Sequence, residues 1–143
     1  MIEHINPPEL GKPSGYSHAV SVTADRLVFL AGQTALDPTG KIVGGTVVEQ
    51  FERALGNLLT ALRAAGGQPA DLVSLTIYIV DMDDYKAHGR EIGAVWRKLI
   101  GTAYPAMAGI GVSRLWDIEA LVEVQGHAAI TTNRSTRTAS SAE

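Results

Sequence analysis

Glu123 sits inside an apolar run, Ala120-Leu121-Val122-Glu123-Val124-Gln125. A carboxylate held there can take a proton from water and hand it back. On a solvated strand it needs no explanation; in a buried one it needs a partner or a job. The chain also has four histidines. His18 and His127 fall on strand-like stretches and are candidate acid–base groups, although a lone histidine on a strand is more often a polar neighbour. The histidines show no metal-ligand spacing. There is no cysteine, which removes thiolate nucleophiles, thiolate zinc sites, Fe–S clusters and disulfides from consideration.

The elements that must position these groups follow from hydrophobic periodicity. Residues 46–65 place Val47, Val48, Phe51, Ala54, Leu55, Leu58, Leu59 and Leu62 at three-and-four spacing, the pattern of an amphipathic helix. Thr46 and Glu49 form a capping-box pair at its start, and Gly66-Gly67 ends it. A second helix is predicted over 84–100, capped by Asp83 or Asp84. Strands are predicted over 17–22, 26–33, 72–81, 108–115 and 117–130. The short link Thr23-Ala24-Asp25 implies a hairpin between the first two. Residues 1–15, rich in proline and glycine, read as an irregular lead-in. The order β-β-α-β-α-β-β implies an α+β fold, a two-layer mixed sheet with two helices on one face, in a single domain over 1–130. Residues 131–143 lack apolar periodicity and are expected to be disordered.

Strand side chains alternate between faces. From residue 118, one face carries Ile118, Ala120, Val122, Val124, Gly126, Ala128 and Ile130, which belongs under the helices. Glu123 falls on the other face with Gln125 and His127. The stretches 26–32 and 75–80 are apolar on both faces, so the second face of the sheet is expected to be buried against a partner, which predicts an oligomer and places Glu123 near a subunit interface.

Composition narrows the partners. With 143 residues, 45% hydrophobic and 19% charged, the chain is globular rather than disordered. A net charge of −3 argues against nucleic acid or an anionic membrane as the main partner. No apolar run reaches the roughly 18 residues of a spanning helix, and the proline-broken start lacks the apolar core of a signal peptide. A soluble, cytoplasmic protein is expected.

Six stretches then carry a resemblance: "GYSHAV" (15–20), "LVFLAGQTALDPTGKIVGG" (27–45), "EQFERALGNLLTALRAAGG" (49–67), "VSLTIYIVDMDDY" (73–85), "YPAMAGIGV" (104–112) and "ALVEVQGHA" (120–128). Their order and spacing resemble the RidA (YjgF-like) family over about residues 5–130. The resemblance implies a chorismate-mutase-like fold and a homotrimer with three clefts between subunits. It also implies hydrolytic deamination of reactive enamines and imines with no metal or organic cofactor. Residue by residue, it implies a cleft tyrosine at Tyr16, close backbone approach to a ligand at Gly32, and a water-handling carboxylate at Glu123. The chain departs from the family at Pro105-Ala106-Met107. Met107 replaces the arginine that pairs with the substrate carboxylate, and methionine offers only a polarizable apolar surface. Gly89 stands where the family often has asparagine. Trp116 lies in a lengthened turn, at the expected rim of the cleft. Arg114, seven positions from Met107, falls on the opposite face of a regular strand, so only a bulge or the turn at 115–117 would let it replace the lost arginine. Two functions fit: a hydrolase with a differently anchored substrate, or a small-molecule-binding trimer without catalysis. Ribonuclease activity, ascribed to some family members, fits the charge poorly.

Overall fold

The computed structural model describes residues 1–132. Strand β1 (Ile2–Ile5) pairs antiparallel with β2 (Ala19–Val22) as a small separate ribbon. The main sheet contains β3 (Arg26–Gln33), β4 (Leu72–Ile79), β5 (Ala106–Gly111) and β6 (Val122–Ile130), in the order β3-β6-β4-β5. Only β4 and β5 run parallel; β6 is antiparallel to both of its neighbours. Helix α1 (Val47–Ala64) and helix α3 (Gly89–Leu99) pack on one face, with a short helix α2 (Met82–Ala87) before α3.

The α+β, two-layer arrangement with helices on one face matches the sequence expectation, and the differences lie in pairing and boundaries. The Thr23–Asp25 link makes no hairpin: β2 pairs with β1, inside the supposed lead-in, and β3 pairs with β6. The second helix is split at His88, whose Nδ1 lies 2.8 Å from the Asp84 carbonyl. Its first half is capped by Asp81, whose carboxylate accepts from the Asp84 N–H at 3.1 Å. The last strand begins at Val122, not 117, so Ile118 sits on the preceding turn and is 66% exposed. The expected disorder of the tail falls, beyond Thr132, outside the described residues.

α1 forms for the reasons its sequence gives. The Thr46 hydroxyl accepts from the Glu49 N–H at 3.1 Å, capping the helix, and donates to the Glu49 carboxylate at 3.0 Å; the carboxylate thus bonds the hydroxyl and not the Thr46 N–H of the expected capping box. Phe51, Leu55, Leu58, Leu59 and Leu62 are fully buried against Leu75, Ile79, Val122 and Val124. Burial of each such side chain contributes about 1.5–3 kcal/mol, which fixes the helix over β6 and β4.

One polar residue in that apolar stripe has a separate task. Gln50 is buried, and its amide donates to the carbonyls of Gly44 and Glu119, both at 3.1 Å, while its carbonyl accepts from the Leu121 N–H at 2.8 Å. It pins the entry to β6 two residues before Glu123. Two turns along α1, the Asn57 amide donates to the carbonyls of Thr34 (3.0 Å) and Leu36 (2.9 Å), fixing the exit from β3.

Candidate functional site

Glu123 faces away from the helices, opposite Tyr78 in the ladder and on the reverse side from the buried Val122 and Val124. Its side chain is half-buried and makes no hydrogen bond or ion pair with any described residue. The register of β3 against β6 shifts between Leu30 and Gln33. That bulge turns Gly32 toward the carboxylate, and a Cβ at Gly32 would lie 2.7 Å from Glu123 Oε2. Gly32 and Glu123 therefore make one unit: a carboxylate laid over bare backbone, open on the outer face of the sheet.

The rest of that face is polar at its centre and apolar at its margins. The Tyr78 hydroxyl donates to Gln125 Oε1 at 3.0 Å, and Ser74 Oγ lies 2.7 Å from His127 Nδ1. Leu27 (63% exposed), Phe29 (76%) and Ile110 stand on β3 and β5. The apolar outer surface thus lies on β3 and β5; β4, expected to be apolar on both faces, presents Thr76 and Tyr78 there.

Met107 is on the other side of the sheet. It pairs with Leu75, shares its helix-facing orientation and packs against the core. It lines a cavity of about 340 Å³ under α3 that also touches Gly89, Gly93, Trp96, Arg97 and Tyr104. Two of the positions where the chain departs from the resembled family, Gly89 and Met107, thus line the same cavity.

Tyr16 belongs to neither group directly. It is part-exposed, stands edge-to-face against His18 with ring centroids 5.2 Å apart, and opens onto a larger cavity of about 880 Å³ beside His4, Asn6 and Thr102. Gly15 and Tyr104 line both cavities, so the segment around Tyr16 is the partition between them. The Ser17 N–H donates to the Pro105 carbonyl at 2.9 Å and holds this partition to β5. His4 Nδ1 lies 3.0 Å from Ser17 Oγ, but that hydroxyl already donates to the Tyr104 carbonyl at 2.7 Å. The imidazole is therefore the donor of the pair, and Ser17 is not primed as a nucleophile. His18 Nε2, 3.0 Å from the Gly11 carbonyl, fixes the lead-in.

Trp116 is 91% exposed on the turn between β5 and β6 and lines neither the cavity at Met107 nor the one at Tyr16. Arg114 folds onto the same turn, donating to the carbonyls of Leu115 (3.1 Å) and Trp116 (3.3 Å). The sequence-predicted residues therefore divide: Gly32 and Glu123 together on the outer face, Met107 under the helices, Tyr16 on the partition at the β5 edge, and Trp116 on an outlying turn. Sequence reasoning missed Gln50 and Asn57. The one available signal was two amides seven residues apart at the apolar face of an amphipathic helix. Among the described residues, no three His, Asp or Glu side chains converge as a metal site would require, and no helix is long and apolar enough to cross a membrane.

The family model described as Endoribonuclease L-PSP matches residues 9–130. A RutC family protein of Pyrococcus horikoshii is 35% identical over 127 residues, covering 87% of this chain and 95% of its own. A 2-iminobutanoate/2-iminopropanoate deaminase of Capra hircus is 35% identical over 101 residues, 70% of this chain and 69% of its own. Among solved structures, the Rid family protein YyfB of Yersinia pestis superposes with a TM-score of 0.81 at 34% identity, covering 90% of this chain and 98% of its own.

Proposed function

The chain belongs to the RidA (YjgF-like) family, and from that premise we propose that it is a cofactor-free hydrolase of a reactive imine or enamine, working as a cytoplasmic homotrimer. Several relatives are named as imine deaminases, which supports the reaction class. The observation that carries the reading is the unpartnered Glu123 carboxylate over the bare backbone of Gly32. In the proposed reaction, Glu123 takes a proton from water as the water oxygen bonds to the imine carbon. The C=N π pair moves to nitrogen, which picks up the proton. The carbinolamine then collapses: its O–H proton passes by way of the Glu123 carboxylate to the nitrogen, the C=O bond forms as the C–N bond breaks, and ammonia and a ketone leave. Water is the only co-reactant.

Glu123 and Met107 occupy opposite faces of one sheet, and β4 and β5 lie between β6 and the open edge, roughly 10 Å of sheet. One substrate cannot touch both within a single chain. A second copy whose Glu123 face meets the β5 edge of the first would join them. That contact is head-to-tail, and with a threefold rotation between copies it closes into the proposed trimer. Tyr16 and Gly32 then flank the substrate, with Met107 and Trp116 as the other substrate-binding positions.

The test is to generate imines in place with an amino-acid oxidase and follow their loss. The protein is expected to speed the loss severalfold or more over buffer. No acceleration with any amino acid would favour the second reading, a small-molecule-binding trimer without catalysis, to which the replacement of the family arginine by Met107 lends weight. Gly32→Ala supplies a finer check. Its Cβ meets the movable end of Glu123 rather than backbone, so the carboxylate is expected to shift while the fold persists. Hydrolysis should fall by about tenfold or more, with the thermal midpoint nearly unchanged.

A further inference from the structure

Within that reading of Glu123 as the base, we propose that Gln50 and Asn57 are positioning residues for the hydrolysis. As two amides on one helix, they hold the entry to β6 and the exit from β3, and so set the Glu123 carboxylate over Gly32.

The starting point is that Glu123 has no side-chain partner among the described residues, so its place is set by its backbone. A Cβ at Gly32 would meet Oε2 at 2.7 Å, which leaves the carboxylate little slack over that strand. A displacement of about 1 Å can cost roughly 10²-fold in rate.

Gln50 acts on the Glu123 side. It is 2% exposed, and both N–H donors of its amide are used, on the Gly44 and Glu119 carbonyls at 3.1 Å. Its carbonyl accepts from the Leu121 N–H at 2.8 Å. The ladder of β6 with β3 stops at the Gln33–Val124 pair, and that with β4 at the Ile79–Val122 pair. Residues 119–121 lie beyond both ladders, and Gln50 bonds the Glu119 carbonyl and the Leu121 N–H on either side of the buried Ala120, as a neighbouring strand would. Asn57 acts on the Gly32 side. Its two donors go to the Thr34 and Leu36 carbonyls, at 3.0 and 2.9 Å, on either side of the buried Ala35. Each amide therefore grips backbone two residues from its half of the site: Leu121 from Glu123, Thr34 from Gly32. The amides stand two turns apart, about 10.5 Å along α1, and Phe51, Leu55 and Leu58, fully buried between them, keep that helix from shifting.

The test uses the intact protein with Gln50→Met, which removes three bonds, and Asn57→Ala, which removes two at a half-buried position. Leu62→Ala, near the far end of α1, serves as the control that weakens the core without touching either strand end. All are assayed well below their thermal midpoints. Expected is a fall in kcat of roughly 10–100-fold for Gln50→Met and about tenfold for Asn57→Ala, with KM within about twofold of wild type. Leu62→Ala should keep the wild-type kcat. Added to Glu123→Gln, Gln50→Met should lower the residual rate by less than about twofold, because the base it places is already gone. The carboxyl carbon signal of Glu123, recognised by its loss in Glu123→Gln, should move in Gln50→Met and Asn57→Ala and stay in Leu62→Ala. Should Gln50→Met fail to fold, Asn57→Ala decides alone. The proposal is overturned if the folded variants keep the Glu123 signal or the wild-type kcat, if Leu62→Ala loses as much, or if Gln50→Met costs as much without Glu123 as with it. If the wild type hydrolyses no imine, the hydrolase reading falls by itself; a moved carboxyl signal then retains the amides as the groups that place Glu123, and an unmoved one removes them too.

Discussion

Glu123→Gln is expected to lower kcat for imine hydrolysis by roughly 10²–10⁴-fold, the usual contribution of a positioned general base, without unfolding the protein. Glutamine keeps the shape and the fit over Gly32 but cannot take a proton from water. The fold has little at stake, because the carboxylate makes no hydrogen bond or ion pair with any described residue and lies on the face away from the core. The measurement is the in-place imine assay, paired with a thermal melt of the same sample. A melt within a few degrees of wild type with activity lost assigns the effect to chemistry. Equal activity would move the base elsewhere on the same face, where His127 is the next proton acceptor along β6, held 2.7 Å from Ser74.

The parts of this arrangement that were legible in the sequence are those fixed locally. α1 was readable because its spacing, its Thr46–Glu49 cap and its Gly66 stop all lie within the helix or two residues of it. The outward face of Glu123 was readable because parity holds wherever a strand is continuous, and β6 is continuous from Val122 to Ile130. The same rule failed for Ile118 because it was carried through a turn. Strand pairing was not readable. The Thr23–Asp25 link has the length of a hairpin, but β3 finds its partner about a hundred residues later in β6, where Val28 faces Ala128. Local turn chemistry says nothing about such distant contacts. The site divides for the same reason. Whether Met107 shares a face with Glu123 depends on the parallel register that sets it beside Leu75.

Phe29→Asp is expected to produce a monomer and to remove hydrolysis as completely as Glu123→Gln, although Phe29 is no part of the proposed chemistry. Within one chain Phe29 is 76% exposed and touches only the edge of His127, with ring centroids 5.2 Å apart, so its loss should cost the subunit fold little. In an assembly that covers the outer face, each copy buries Phe29 and Leu27, about 1.5–3 kcal/mol apiece. An aspartate in their place brings an unpaired charge into that contact. Sedimentation reads the assembly and the imine assay reads the cleft. The two must fall together, because the Glu123 face and the cavity lined by Met107 lie on opposite sides of the sheet and meet only between copies. A monomeric Phe29→Asp protein with full activity would place the whole reaction within one chain and overturn the shared cleft.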